Sequence, residues 1–205
     1  MKKIFKTFMA AVAFASVTTS ADAQLFLTGN FGMSNTSGEN EVLNKSSKTD
    51  SHNVFHFGVE AGYYFSDNMA FGLEIRYNHD KVKNAADKKK WTADNGCEFN
   101  PYFRYDFIAS EKVNFGVKAK GIFGFGKEKD QDNDHTKNSE IGFGFFPVLN
   151  YKFNSKWGAG VEFGSLYYLH TTDKPASGDA YKNTTNRWST NISLESLRFS
   201  VVYTF

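Results

Sequence analysis

Three aspartates in the middle of the chain have the spacing of calcium ligands. Asp130, Asp132 and Asp134 alternate like the first ligands of an EF-hand loop. That loop needs glycine at its sixth position and glutamate at its twelfth, where this chain has His135 and Ile141. A solvated polar segment explains the three aspartates better than a calcium site. We therefore predict no metal site and no cofactor.

Two pairs of adjacent residues combine a nucleophile with a base, as a hydrolytic centre does. A hydrolase needs a nucleophile within reach of a base, and the sequence places His170 beside Thr171 and Ser51 beside His52. Adjacent residues of a strand point to opposite faces, so neither pair is aimed at one substrate. The single cysteine, Cys97, has no base nearby in the sequence and cannot form an internal disulfide. The sequence predicts no enzyme.

The segments that hold these residues alternate between apolar and polar side chains, which is the period of a β-strand. Short and long connections follow each other in turn, as in an up-and-down membrane barrel. We predict an all-β fold, an eight-stranded antiparallel up-and-down transmembrane β-barrel. Its strands are expected at 25–35, 54–65, 69–79, 97–107, 113–126, 140–153, 157–170 and 188–205. The long connections are expected at 36–53, 80–96, 127–139 and 171–187.

The two faces of these strands differ in chemistry. Odd-numbered positions carry the apolar side chains, which are too many for the interior of eight strands. Glycine collects at even positions, with Gly29 and Gly121 as exceptions, and small residues suit a crowded lumen better than a solvated surface. The odd face is therefore predicted to contact lipid and the even face to line the lumen.

Acidic and basic residues balance on the even face. The predicted lumen charge network consists of Glu60, Glu74, Arg76, Glu98, Arg104, Asp106, Lys118, Lys120, Glu140, Lys152, Glu162 and Arg198. An unpaired buried charge is costly, so these groups should pair and fill the lumen. An open pore would need about 16 strands. The larger side chains expected beside them are Tyr64, Tyr102, Ile122, Phe146, Leu166 and Tyr168.

Irregular positions are expected in three strands. Pro101 and Pro147 lie inside predicted strands, where a closed barrel offers no free edge, so we expect a bulge or distortion at each. In the last strand the apolar set is even at Ile192 but odd from Leu197 onward. Either a bulge near Glu195 shifts the register, or the upper part of the strand stands clear of the membrane.

The first residues have the pattern of a secretory signal peptide. Three lysines precede a short apolar run, and an Ala-Asp-Ala motif at 21–23 allows cleavage between Ala23 and Gln24. We predict a signal peptide at 1–23 and one barrel domain at 24–205. Cleavage removes three of the 24 basic and one of the 22 acidic residues. The remaining chain is formally neutral, and nothing in its charge favours nucleic acid.

A Tyr-x-Phe motif ends every second predicted strand, at 63–65, 105–107, 151–153 and 203–205. Aromatic rings at one end of alternate strands are typical of a girdle at a membrane–water boundary. The signal, the hairpins and the final strand ending in Tyr203-Thr204-Phe205 resemble the small outer-membrane β-barrel proteins of Gram-negative bacteria, the OmpA/OmpX-like eight-stranded class. The resemblance covers 24–205. It implies residence in the outer membrane of a Gram-negative bacterium, with Tyr203 and Phe205 forming a signal read by the barrel-assembly machinery.

The resemblance leaves the activity open, because members of this class do different things. We expect a monomer with a structural or adhesive role, whose partners are outer-membrane lipid, lipopolysaccharide and a ligand of the extracellular loops. Lys88-Lys89-Lys90-Trp91 is a candidate contact for lipopolysaccharide phosphates. The alternatives are a narrow channel for ions or small solutes and a lipid-modifying enzyme.

Overall fold

In a computed structural model, the chain forms an antiparallel β-barrel. The structure describes residues 24–36, 39–42, 45–48, 51–83, 91–130, 135–175, 182–191 and 197–205. The predicted signal peptide, Lys88 to Lys90, Asp132 and Asp134 lie outside the described residues. Within the described ranges, no helix is long and apolar enough to cross a membrane.

The alternating segments form strands, as their period predicts. Over the described residues these are β1 (Gln24–Thr36), β2 (Glu39–Val42), β3 (Lys45–Lys48), β4 (Ser51–Ser66), β5 (Met69–Lys83), β6 (Trp91–Ala109), β7 (Val113–Asp130), β8 (His135–Lys152), β9 (Trp157–Glu162), β10 (Ser165–Pro175), β11 (Asn183–Asn191) and β12 (Arg198–Thr204). Several extend beyond their predicted ends into polar sequence, because ladder hydrogen bonds join backbone groups and do not require apolar side chains.

One sheet has the order β11-β10-β8-β7-β6-β5-β4-β1-β12-β9, and β9 also pairs with β8. The β8–β9 pairing closes a ring of eight of these strands. The predicted strand count of eight is nevertheless wrong, since the sheet contains ten strands within the described residues. The seventh predicted strand is divided into β9 and β10, and the eighth is divided into β11 and β12. The all-β antiparallel barrel class is confirmed. β2 and β3 form a separate hairpin inside the predicted loop 36–53.

Short connections lie at one end of the barrel, which we call the turn end, and the opposite end is the loop end. In the turn after β6, the Val113 amide donates to Ser110 Oγ over 3.0 Å, and the Ser110 amide donates to the Val113 carbonyl over 3.0 Å. In the turn after β8, Asn154 Oδ1 accepts from the amides of Lys156 and Trp157, over 2.9 and 2.8 Å. These bonds, three of which are accepted by side-chain oxygens, replace ladder partners that the turn residues lack.

A bulge beside Pro147 divides the seventh predicted strand. Glu162 lies opposite Val148, and the Phe163 amide donates to the Pro147 carbonyl over 3.1 Å. Leu166 then lies opposite Phe145, so one extra residue is inserted after Phe163. Gly164 supplies the turn with a φ of 70°, a conformation that glycine adopts without strain. The predicted distortion at Pro147 is confirmed.

The inserted residue reverses the two faces in β10 and β11. Leu166 is 44% exposed, and the Tyr168 ring packs on the outside against Phe143 and Trp188, with centroids 5.8 and 5.2 Å apart. The prediction that Leu166 and Tyr168 line the lumen is therefore wrong. Leu169 is buried in their place. A one-residue insertion moves every later side chain to the opposite face.

The other two irregularities are also present. Between β6 and β7 the pairing passes from Phe99–Phe123 to Tyr102–Lys120 without pairing Pro101, and the register does not shift. The predicted distortion at Pro101 is thus confined to two missing bridges, at Asn100 and Pro101. In the last predicted strand, Asn191 pairs with Ser165 and Arg198 pairs with Glu162. Residues 192–197 lie between these two paired positions. The expected register change is confirmed there, although Glu195 itself lies outside the described residues.

Candidate functional site

Ten of the twelve residues predicted for the lumen network take part in ion pairs within the described part of the chain. They are Glu60, Glu74, Arg76, Glu98, Arg104, Asp106, Lys118, Lys120, Glu162 and Arg198. The ion pairs of the described residues do not include Glu140 or Lys152. Glu140 accepts a 3.5 Å hydrogen bond from Thr171, and Lys152 lines an exposed cavity at the turn end.

Eight of these ten residues form one connected cluster across the lumen, which we call the charge layer. Its members are Glu60, Glu74, Arg76, Glu98, Lys118, Lys120, Glu162 and Arg198. Four acids face four bases, so the layer is formally neutral. A buried ion loses its hydration, so it needs an oppositely charged partner in place of water. Equal numbers of acids and bases meet this need.

Lys120 lies at the centre of the charge layer. Its Nζ is 3.0 Å from Glu74 Oε2 and 2.6 Å from Glu162 Oε2. Glu162 also lies 2.5 Å from Arg198 Nη1 and 3.9 Å from Lys118 Nζ. The Lys120 side chain is 1% exposed, so the two carboxylates take the place of water around its charge. These contacts connect β5, β7, β9 and β12 through the lumen.

Arg76 extends the layer toward the loop end. Its Nη2 is 2.7 Å from Glu74 Oε2 and its Nη1 is 3.2 Å from Glu98 Oε2. Asn100 donates to Glu98 over 2.9 Å and to Glu74 over 3.3 Å, and Asn78 also donates to Glu98. The amides occupy carboxylate lone pairs that the cations leave open, which is the condition for a stable buried ion pair.

Aromatic rings pack against the cations of the charge layer. Lys118 Nζ is 2.7 Å from Glu60 Oε2, and Tyr102 donates to Glu60 Oε1 over 2.9 Å. The same ammonium lies 5.0 Å from the centre of the Tyr102 ring, and Lys120 Nζ lies 4.7 Å from the centre of the Phe146 ring. Cation–π attraction is strongest at desolvated sites such as this one. Tyr102 and Phe146 therefore both fill the lumen and stabilise its charges.

A smaller pair lies nearer the turn end. Arg104 Nε is 2.7 Å from Asp106 Oδ1, and both side chains are buried. Asp106 Oδ2 accepts from Tyr64 over 3.1 Å and from Asn114 over 3.2 Å. This second polar level adds to the closure of the barrel. The lumen is thus occupied by side chains at two heights.

Sequence reasoning missed the asparagines that complete these networks. Asn30 donates to Glu74 over 3.0 Å, in addition to the contacts of Asn78, Asn100 and Asn114. All four occupy even positions of predicted strands, so the alternation itself was the available signal. A carboxylate that faces several cations still has free lone pairs, and short amides on neighbouring strands can reach them.

Open space in the lumen is divided by the charge layer. A cavity of about 450 Å³ opens at the loop end, with His56, Glu140 and Arg187 in its wall. A second cavity of about 260 Å³ lies at the turn end. Within the layer itself, the remaining void among Glu60, Glu74 and their neighbours measures only about 10 Å³. The barrel therefore has two cups separated by a packed partition.

The family comparison agrees with this architecture. The outer membrane protein beta-barrel domain matches residues 7–205. The chain belongs to this family. It is an outer-membrane protein. The surface that meets lipid is its apolar outward face, which is even-numbered in β10 and β11 and odd-numbered in the other barrel strands. Among curated proteins, none matches the chain.

The chain is also similar to solved outer-membrane proteins, at low sequence identity. Neisserial surface protein A (NspA) is 14% identical, with a TM-score of 0.43 over 89% of this chain and 99% of that chain. A major outer membrane protein from Thermus thermophilus is 12% identical, with a TM-score of 0.46 over 89% and 99%. OprG from Pseudomonas aeruginosa is 13% identical, with a TM-score of 0.45 over 90% and 96%. These similarities concern the fold alone.

The Tyr-x-Phe motifs of this outer-membrane barrel all lie at the turn end, where rings contact one another. Tyr105 and Phe107 have centroids 5.3 Å apart, and Tyr203 lies 4.8 Å from Trp157 and 5.1 Å from Phe205. Outer-membrane barrels place their short turns in the periplasm and their long loops outside. The rings therefore mark the periplasmic boundary of the lipid-facing surface, and the larger cup opens outward.

Glycines give the lumen room for its large side chains. A Cβ at Gly62 would overlap the Phe26 ring and the Tyr102 hydroxyl, whereas a Cβ at Gly29 would meet nothing within 4 Å. We expect Gly62→Val to destabilise the barrel by at least about 1–3 kcal/mol, the usual cost of overpacking. Gly29→Val, on the lipid face, should leave stability unchanged or raise it. Urea unfolding of both variants in lipid vesicles measures the difference, and equal midpoints would contradict the packed lumen.

Proposed function

We propose that this outer-membrane barrel is closed to solutes and has a structural or interaction role at its outer side. The observation that carries the proposal is the charge layer, which crosses the lumen from β5 to β12. The two polar levels leave a cup at each end but a packed middle. A closed barrel can still bind partners at its extracellular side, because loops positioned by a rigid scaffold commonly carry binding residues.

The size of the void inside the charge layer supports closure. A cavity must offer roughly 10–15 Å³ to hold a single water molecule. The void beside Glu60, Glu74 and Lys118 is about 10 Å³, so it holds one water at most. A hydrated ion needs a continuous path wider than that. Conduction would require the ion pairs around Lys120 and Glu162 to separate.

The described histidine–nucleophile pair does not support the enzyme alternative. His170 Nδ1 lies 2.7 Å from Asn186 Oδ1 on the lipid side of β10. Thr171 instead donates to Glu140, which lines the lumen cup. A base and a nucleophile on opposite faces cannot share a substrate atom. Within the described residues, no group of three His, Cys, Asp or Glu side chains could hold a metal ion.

We expect the wild-type protein to add no stable current steps to a planar lipid bilayer. The physical reason is that the charge layer leaves no water-filled path through the lumen. Insertion must be verified independently, by recovering the folded, heat-modifiable form from the same bilayer lipids. A 16-stranded porin recorded under the same conditions serves as the detection control, because barrels of that size leave an aqueous channel.

The same recording tests the channel alternative directly. Reproducible single-channel current from inserted wild-type protein would contradict the proposal, above all if Glu60→Gln or Arg76→Gln changed its size. The absence of current from inserted wild-type protein supports a closed lumen. In that case an outward-facing role is examined by removing the β2–β3 hairpin, residues 39–48, which pairs with no strand of the barrel sheet in the described residues.

A further inference from the structure

The outward faces of several strands change from apolar to basic toward the loop end. On β7 the outward series runs from Phe123 and Phe125 to Lys127 and Lys129. Toward the same end, Lys81 follows His79 on the outward face of β5, Lys137 precedes Ser139 on β8, and Lys174 follows Thr172 on β10. We call these five residues, Lys81, Lys127, Lys129, Lys137 and Lys174, the outer lysine belt. Pairing between strands brings them together, since Lys137 lies opposite both Lys127 and Lys174.

Carboxylates at the same end point the other way. Asp94 lies between Asp80 and Glu128 in the register of β5, β6 and β7, on the face that lines the cup. Asn138 donates to Asp94 over 2.6 Å. Among outward-facing side chains that the structure describes near the loop end, the charged ones are all lysines. Exposed protein surfaces ordinarily carry both acidic and basic side chains. An outward face with bases alone, above a cup lined by acids, indicates an anionic neighbour outside the barrel.

Four of the five belt lysines are also available for such a neighbour. The ion pairs within the described residues do not include Lys127, Lys129, Lys137 or Lys174. Lys127, Lys137 and Lys174 are exposed. Lysine stems can lie along apolar surface while their ammonium groups reach the polar boundary of a membrane. Phe125 and Ile141 provide such a surface just below the belt.

A repeated polar contact places the belt at the membrane boundary. On β5 and β6, Asn95 Oδ1 accepts from Tyr77 over 2.8 Å and lies 2.8 Å from His79 Nδ1. The same arrangement recurs on β10 and β11, where Asn186 Oδ1 lies 2.9 Å from the Tyr168 hydroxyl and 2.7 Å from His170 Nδ1.

Tyrosine and histidine rings with a polar tip prefer the interface between hydrocarbon and water. In both copies a belt lysine follows on the same strand, Lys81 two positions after His79 and Lys174 four positions after His170. The belt is therefore at headgroup height.

We propose that the outer lysine belt binds the phosphate groups of lipopolysaccharide in the outer leaflet. The chemistry that would recognise this lipid is a row of ammonium groups at phosphate height, above an apolar wall that receives the acyl chains. Anionic lipid headgroups attract such basic clusters, and the attraction weakens with salt. The inference is independent of whether the lumen conducts, because it concerns the opposite face of the sheet.

The test uses the full mature chain refolded in vesicles of neutral phospholipid, with and without bisphosphorylated lipid A. Lys127, Lys137 and Lys174 are replaced together by glutamine. We expect this triple variant to bind lipid A with roughly tenfold or greater loss of affinity, since each lysine near an anionic surface contributes to the attraction. Retention of lipid A by native mass spectrometry, measured at two salt concentrations, gives the affinity.

A matched control removes the same charge from the periplasmic end. Lys112, Lys152 and Lys156 are exposed, and their triple glutamine variant should bind lipid A as wild type does. Equal loss in both triple variants would overturn the proposal, as would equal binding of dephosphorylated lipid A by wild type. Inorganic phosphate is the third arm. If millimolar phosphate displaced lipid A completely, the site would be a free-phosphate site and the lipid assignment would be wrong.

Discussion

Replacing Lys120 with methionine should destabilise the folded barrel by about 3–5 kcal/mol, the range for removing one partner of a buried ion pair. Methionine fills a similar volume, so the loss isolates the charge. Glu74 would keep Arg76, and Glu162 would keep Arg198 at 2.5 Å. The layer as a whole, however, would carry one uncompensated negative charge beside a void of about 10 Å³, where one water molecule at most could solvate it.

Equilibrium unfolding in urea, from vesicles and by gel mobility, measures this loss. Lys152→Met is the matched control, because Lys152 is exposed at the turn end and such surface substitutions stay within about 0.5 kcal/mol. The double variant Lys120→Met/Glu162→Gln restores formal neutrality and should recover part of the stability. A Lys120→Met barrel as stable as the Lys152→Met barrel would show that the ion pairs of Lys120 contribute nothing to the stability of the barrel.

The barrel could be predicted from the sequence because lipid imposes a strict rule on one face. Outward positions that lie within the hydrocarbon layer must be apolar, so the alternation identifies the lumen charges from Glu60 to Arg198. The pairing of Lys120 with Glu74 and Glu162 could not be read in the same way. These residues come from three strands whose relative register is set when the barrel closes. The distance between the residues along the sequence does not reveal that register.

Two local features limited the prediction further. Gly164 and Ser165 insert one residue opposite Phe146, and nothing in the alternation marks where such an insertion falls. Alternation consequently predicts the wrong face for Leu166 and Tyr168. Strand ends were also placed too early toward the loops, because polar positions such as Asn95 still pair through the backbone. Pattern reading therefore finds the lipid-facing part of a strand and underestimates its full length.

The terminal phenylalanine offers the second large effect. The resemblance to Gram-negative barrels implies that Tyr203 and Phe205 are read by the barrel-assembly machinery, and this role remains a proposal. Phe107, Phe153 and Phe205 are 62%, 63% and 63% exposed at the same end of the barrel. Truncating any one of them to alanine removes nearly equal contact with lipid. A difference in assembly between the variants can then come only from recognition.

We expect Phe205→Ala to lower the amount of folded protein in the outer membrane several-fold, while Phe107→Ala and Phe153→Ala lower it little. Heat-modifiable mobility of membrane fractions measures the folded amount in cells. The Phe205 amide donates to the Leu25 carbonyl over 3.0 Å, and alanine keeps this backbone bond. Refolding of the three purified variants in vesicles should therefore agree within about 0.5 kcal/mol, as for other exposed positions. If Phe205→Ala failed equally in cells and in vesicles, the ring would be a stability element at the membrane boundary and not a recognition signal.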